Sequence, residues 1–127
     1  GGGLMLYIKR RGPIDYRLCN QTVTIYHWDG KDTFAQQVIH NAFLDFRKNQ
    51  NVNKTGSHEV NSFLLVIPTD KVIVSPKDKI LQGEGPEIAT REAWSKFIPA
   101  NVPGLVVVKY VDPKYWYGKL VHLEAGG

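Results

Sequence analysis

The sequence predicts a mainly β protein, a small antiparallel β-barrel or sandwich of six to seven strands with one short helix. Three observations lead to this prediction. Short runs rich in β-branched and aromatic residues recur along the chain, and turn-forming residues interrupt them about every ten residues. One segment has the pattern of a helix. No apolar run approaches the roughly 20 residues that a membrane-spanning helix needs, and no secretory signal pattern is evident.

The predicted strands share a high content of β-branched and aromatic residues and end at turn-forming residues. They are residues 22–27, 36–46, 58–67, 71–74, 79–82, 105–111 and 116–123. In the second strand, Val38, Phe43 and Phe46 do not share one face by strict alternation. A bulge or bend near Asn41 would reconcile them, because one extra residue reverses the register. We predict a turn at Asp112-Pro113, before the last strand.

The helix candidate is residues 90–97. Thr90 suits the N-cap and Glu92 suits the first turn. Trp94 and Phe97 fall on one helical face, and Pro99 ends the helix. The sequence therefore predicts one short amphipathic helix before the last strands.

Basic residues are concentrated in two segments of a chain with a formal net charge of +4. The first is the N-terminal segment, where residues 4–16 also alternate well enough to add as a strand to a neighbouring subunit. The second is residues 47–57, which are polar, Asn-rich and without apolar periodicity, and therefore predict a long loop. This second segment carries Arg47, Lys48 and Lys54 and is either a solvated loop or a loop that contacts phosphates.

Residue types that carry catalysis or bind metals lack a recognisable arrangement. The four histidines have no metal-ligand spacing, and Cys19 is the single cysteine and lies in no motif. One cysteine excludes an internal disulfide and is typical of a reducing compartment. The sequence predicts no enzymatic activity, no metal and no cofactor.

A cluster of aromatic residues is interleaved with lysines near the end of the chain. The sequence allows two interpretations of it. The aromatics either fill the core of a hairpin or form a stacking platform for single-stranded nucleic acid. The aromatic residues concerned are Tyr110, Tyr115, Trp116 and Tyr117.

The order of the elements resembles that of a group of small structural proteins encoded by tailed phages and prophages of Gram-positive bacteria. The opening Leu18-Cys-Asn-Gln-Thr-Val-Thr-Ile-Tyr26 resembles the first strand of that group. Asp78-Lys-Ile-Leu-Gln-Gly83 resembles its element of an Asp, three apolar residues, any residue and a Gly, with Lys79 at the first of the three apolar positions. The layout is similar to the head–tail joining proteins of long-tailed phages, also described as head-completion or stopper-like proteins, and extends over residues 18–124.

The resemblance implies a virion structural protein without catalysis or cofactor. Such a protein forms a homo-oligomeric ring in the neck, between the portal or adaptor and the tail terminator, and helps to retain packaged double-stranded DNA. We therefore expect assembly in the host cytoplasm, residence in the virion neck and no membrane association. Two alternatives stay open: another neck or tail part, such as a tail terminator or a decoration protein, and a basic β-barrel that binds single-stranded nucleic acid.

The chain is expected to comprise an N-terminal arm, residues 1–17, and a single β-domain, residues 18–127. Charge and pattern then assign two sets of residues to this function. The set predicted to face the DNA channel is Arg47, Lys48 and Lys54. The set predicted to contact a neighbouring subunit is Leu6, Ile8, Lys9 and Arg10.

Overall fold

A computed structural model describes residues 16–53 and 56–127 and confirms a mainly β fold with one short α-helix. The elements follow one another in a simple order. They are a 3-10 turn (Tyr16–Leu18), β1 (Gln21–Trp28), β2 (Phe34–Asn53), β3 (Gly56–Pro68), β4 (Lys79–Gln82), α1 (Arg91–Lys96), β5 (Leu105–Val107), β6 (Tyr110–Trp116) and β7 (Lys119–Gly126).

All seven strands belong to one antiparallel sheet with the order β5-β4-β1-β2-β3-β7-β6. The sheet folds over on itself, so that one face becomes the core. Within the described residues its two edges, β5 and β6, do not pair with each other, and the sheet is sandwich-like rather than a closed barrel. The core is formed by apolar side chains from both halves of the sheet. Its most buried members are Val23, Ala42, Leu65, Ile67, Ile80, Val108, Leu123 and Ala125.

The predicted helix and the predicted bulge are both confirmed. Thr90 caps α1, because its hydroxyl accepts a hydrogen bond from the Ala93 amide at 3.0 Å. In the β1–β2 pair, Gln21 lies opposite Ala42 and Val23 lies opposite Ile39, so β2 carries one extra residue there. This bulge lies where the alternation of apolar residues required it.

The predicted strand over residues 105–111 is wrong as a single element. The chain pairs with β4 as β5 and then, after Val108 and Lys109, pairs with β7 as β6. Two bonds fix the change of partner: the Val108 amide donates to the Asp78 carbonyl, and the Lys77 amide donates to the Val108 carbonyl, both at 2.8 Å. The strand therefore moves from one half of the folded sheet to the other.

Two further predictions are wrong. Residues 71–74 are not in a strand, but form an irregular segment that leads to the turn before Asp78. Asp112-Pro113 lies inside β6 and is not a turn. Proline is tolerated there because β6 is an edge strand. The turn comes later, at Tyr117-Gly118, so the last strand begins at Lys119 rather than at residue 116.

Candidate nucleic-acid interface

Strands β2 and β3 continue far beyond the rest of the sheet. β1 pairs with β2 no further than Ala42, and β7 pairs with β3 only from Leu64 onward. Within the described residues, 47–53 and 56–62 pair only with each other, in seven successive pairs from Arg47↔Ser62 to Asn53↔Gly56. We call these two segments the projecting ribbon. At a rise of about 3.3 Å per residue it extends about 23 Å from the body.

The projecting ribbon corrects the prediction of a long loop over residues 47–57. In the described chain the two segments pair only with each other, and backbone pairing alone imposes no apolar alternation on a sequence. Along their shared edge its two strands pair with each other instead. The lack of apolar periodicity therefore did not mark the absence of a strand.

The residues predicted to contact DNA lie in or next to this ribbon. The backbones of Arg47 and Lys48 are at its base, opposite Ser62 and Asn61. Their side chains, and the whole of Lys54, lie outside the described part of the chain. Over residues 47–61 the sequence carries three Lys or Arg side chains against the one carboxylate of Glu59. The projecting ribbon is thus a polar segment with an excess of positive charge.

The aromatic cluster lies at the end of the sheet opposite the projecting ribbon. His122 of β7 pairs with Pro68, the last residue of β3, and the aromatic residues lie just before β7. The ribbon continues β3 in the other direction, toward Gly56. Tyr115, Trp116 and Tyr117 are 62%, 46% and 90% exposed, so the interpretation that they fill the core is wrong. Tyr117 and Gly118 both have positive φ, 52° and 78°, as a two-residue type I′ hairpin turn requires. We call the three residues the aromatic turn.

The fourth residue of the predicted platform is separate from the aromatic turn. Tyr110 begins β6, opposite Gly126, whereas Trp116 ends it, opposite Lys119. The Tyr110 ring covers Gly126, because a Cβ at that glycine would overlap it. At the turn itself, the rings of Trp116 and Tyr117 are 5.2 Å apart and nearly perpendicular. The structure therefore brings together three of the four aromatics and leaves Tyr110 at the far end of the strand.

Two lysines flank the aromatic turn in the sequence. The Lys114 Nζ donates a hydrogen bond to Asp112 Oδ2 at 2.7 Å, and this hydrogen bond raises the pKa of Lys114. Lys119 is exposed at the start of β7. The turn thus presents aromatic surface beside one lysine with a carboxylate partner and a second that faces water.

A buried polar chain, which sequence reasoning missed, ties the start of the described chain to β7. The fully buried His122 has its Nδ1 2.6 Å from the Tyr16 hydroxyl and its Nε2 3.0 Å from a Glu124 carboxylate oxygen. Burial, with the nearby Cys19 and Glu124, raises the pKa of Tyr16. Tyr16 and His122 are 106 residues apart, so only the alternation of His122 and Glu124 was visible in the sequence.

Two other buried polar groups have structural partners. Asp78, from the element quoted above, accepts a hydrogen bond from the Ser75 amide at 2.9 Å and lies 2.6 Å from His27 Nδ1. It thereby holds the turn at Lys77, whose φ is 78°. These contacts fix the point at which β5 passes into β6.

Lys79 is the second of these groups. It donates to the carbonyls of Trp94 and Phe97, each at 2.7 Å, and lies over the Trp94 ring. Burial lowers the pKa of Lys79. Its contacts join the end of α1 to β4, which accounts for a lysine at a buried position.

In the part of the chain that the structure describes, no group of three or more His, Cys, Asp or Glu side chains is arranged to hold a metal ion. None of the described helices is long and apolar enough to cross a membrane.

Comparison with known proteins places most of the chain in one family. No curated protein and no solved structure is significantly similar to it. A family profile described as a family of unknown function, DUF6751, matches residues 18–127. The match therefore includes every strand of the sheet together with the projecting ribbon and the aromatic turn, and begins after Tyr16. The chain belongs to the DUF6751 family of unknown function.

Proposed function

We propose that the chain is a ring-forming connector subunit in the neck of a tailed phage particle. In this proposal the projecting ribbon of each subunit points toward the channel axis and contacts packaged double-stranded DNA. The observation that carries the proposal is the ribbon itself. It is two-stranded, polar and basic, extends about 23 Å from the body, and within the described chain residues 47–53 and 56–62 pair only with each other.

A ribbon of this kind suits contact with DNA phosphates. The inner backbone groups of its two strands pair with each other and the outer ones can bond to water, so the ribbon can extend from the body without a core. Contacts from lysine and arginine to phosphate do not depend on sequence, which is what a channel that passes a whole genome requires. A ring multiplies the basic residues of one ribbon by the number of subunits. The contact therefore becomes strong in the assembly even when a single subunit binds DNA weakly.

The proposal assigns the remaining surfaces to protein contacts. Leu6, Ile8, Lys9 and Arg10, which lie outside the described residues, contact the neighbouring subunit of the ring. The portal or adaptor and the tail terminator are the partners above and below. The protein assembles in the host cytoplasm, resides in the virion neck, and acts without catalysis or a cofactor.

Electron microscopy of a phage lysate tests the position in the particle. The gene carries an early stop codon in the test phage and a silent change in the control. The proposal expects filled or leaking heads that lie apart from finished tails. Intact, joined particles in the absence of the protein would refute it.

Charge reversal tests the ribbon. Arg47→Glu with Lys48→Glu is compared with Lys31→Glu combined with Lys71→Glu, which changes the charge equally at exposed positions of the body. We expect heads that lose DNA only for the ribbon variant. Equal DNA retention by both variants would show that the ribbon does not hold DNA.

The aromatic turn supports a second candidate function, the binding of single-stranded nucleic acid. Three exposed aromatic side chains and an exposed lysine at a hairpin tip resemble a stacking platform. Titration with a poly-dT oligonucleotide at low salt, followed by tryptophan fluorescence, tests this function. Quenching that disappears in Trp116→Phe would support it. The absence of quenching in the unaltered protein would remove it.

A further inference from the structure

The aromatic turn exposes three rings to water. Tyr115 is 62% exposed, Trp116 is 46% exposed and Tyr117 is 90% exposed. An aromatic side chain buries about 150–250 Å² when it is fully covered, so the turn offers roughly 300–500 Å² of aromatic surface. Tryptophan and tyrosine are enriched at the centres of protein interfaces, where they contribute much of the binding energy. The turn therefore has the composition of an interface centre.

The backbone of the turn presents these rings at the expense of strain. Tyr117 has a φ of 52°, in the left-handed region that a bulky residue rarely adopts. Its ring stays exposed, so packing within the body offsets little of this strain. The register of β6 and β7 also shifts between Lys114 and Tyr115, and irregularities of this kind re-aim side chains. Strained, re-aimed side chains of this kind cluster at functional surfaces.

Two features of the turn favour a protein surface over single-stranded nucleic acid. Successive bases stack on ring faces, but the Trp116 and Tyr117 rings are nearly perpendicular, at 84°. Lys114 is paired with Asp112, and Lys119 is exposed beside the rings. Contact with a chain of phosphates depends on several cations acting together, so a turn with one paired and one exposed lysine is better suited to an apolar partner.

The area of the turn is too small for two copies of the chain to be joined by it alone. A stable interface buries about 800 Å² on each partner, and the turn supplies roughly half of that area. Small contacts become strong when many of them form at once between two assemblies. In the proposed ring every subunit presents one turn. The turn therefore suits a partner that receives several turns together.

We infer that the aromatic turn docks in an apolar groove with a carboxylate at its rim, on a different protein of the phage particle that meets the ring. The aromatic rings enter the groove, and Lys119 faces the carboxylate. The turn lies at the end of the sheet opposite the projecting ribbon, so a ribbon directed toward the channel leaves the turn directed away from it. This inference rests on the proposed ring function and names the surface for one of its protein contacts.

Photo-crosslinking in cells that assemble the particle tests the inference. The variant is Tyr117→p-benzoyl-phenylalanine, which keeps an aromatic ring at the tip. The matched control is Asp32→p-benzoyl-phenylalanine, at an exposed position in the β1–β2 turn. We expect a covalent product of this chain with a different protein at roughly ten times the control yield, because docking raises the effective concentration of the reacting groups. Trp116→Ser in the same chain should remove this product.

Four outcomes of this experiment would overturn the inference. One is a yield no greater than that of the control. Another is a product that persists in Trp116→Ser, which would show that the rings do not hold the partner. A product made of two copies of this chain would assign the turn to self-association. A product that contains nucleic acid and is shortened by nuclease would assign it to nucleic-acid binding.

A particle assay supplies a second measurement. Trp116→Ser with Tyr117→Asn is compared with Val38→Ser combined with Ile98→Ser, which removes two apolar side chains that are 37% and 36% exposed outside the turn. Circular dichroism checks that both variants keep the fold. We expect the yield of infectious particles to fall roughly tenfold or more for the turn variant alone, because the lost contact is repeated around the ring. Equal yields for the two variants would refute docking through the turn.

The docking and the connector function fail in different experiments. The connector function is read from particles made without the protein, whereas docking is read from the crosslinked product. Unjoined heads without a product at position 117 would leave the connector and refute the docking. A product together with intact, joined particles made without the protein would leave the docking and refute the connector.

Discussion

Salt dependence of DNA binding gives the most direct quantitative test of the projecting ribbon. The perturbation is Arg47→Gln combined with Lys48→Gln, which removes two of the three Lys and Arg side chains of residues 47–61 and keeps polar side chains of similar length. Each phosphate contact contributes about 0.9 to the slope of log K against log salt for duplex DNA. With one phosphate per cation, the unaltered chain should show a slope of about −2.7 and the variant about −0.9.

The difference is large enough to measure with one subunit. Between about 50 and 200 mM salt, the affinity of the unaltered chain should fall roughly 40-fold and that of the variant roughly threefold. Fluorescence anisotropy of a labelled duplex of mixed sequence supplies both curves. Lys31→Gln with Lys71→Gln is the matched control, because both lysines are exposed on the body, away from the ribbon. Equal slopes for the ribbon variant and the unaltered chain would refute phosphate contact through Arg47 and Lys48.

Three further predictions concern the stability of the body. Phe97→Ala should lower the free energy of unfolding by about 3–5 kcal/mol in urea titrations. The reason is that the buried Phe97 ring packs edge-on against Tyr26, with the two ring centroids 4.7 Å apart. A loss below about 1 kcal/mol would contradict this packing. Lys79 has a pKa below its usual 10.5 because of burial. The unfolded chain therefore binds more protons at this site, and the stability of the unaltered protein relative to Lys79→Met should rise as pH approaches 10.5; a pH-independent difference would contradict it. Tyr117→Asn should raise the free energy of unfolding by about 1 kcal/mol, because asparagine adopts a positive φ more readily than tyrosine. Removal of the Tyr117 ring sacrifices little buried area, since the side chain is exposed. A lower melting temperature would show that the Tyr117 ring stabilises the fold.

Local chemistry explains which elements sequence reasoning found. The cap of α1 needs only Thr90 and the amide of Ala93 three residues later, and the bulge near Asn41 follows from the alternation within one strand. Such features depend on a few neighbouring residues, so their patterns survive in the sequence. The strands that carry the core were found for the same reason, since burial imposes their apolar alternation.

Long-range contacts explain what was missed. The change of sheet partner after Val108 depends on Asp78, thirty residues earlier, and nothing in the run Leu105–Val111 marks the break. The anchor of Tyr16 on His122 joins residues 106 positions apart. The candidate site was predicted as a basic segment, but its shape was not, because the pairing of these two strands with each other alone leaves no periodic signal in the sequence.

The projecting ribbon also makes the reach of this fold depend on the number of residues in two paired strands. In a two-stranded ribbon, adding one residue to each strand lengthens it by about 3.3 Å and exchanges its faces, whereas adding two lengthens it by about 6.6 Å and restores them. Because the two strands of the ribbon pair only with each other in the described chain, such insertions need not alter the strand pairing of the body. Insertions in even numbers of residue pairs would therefore change the reach of the ribbon while its two faces and the body stay the same.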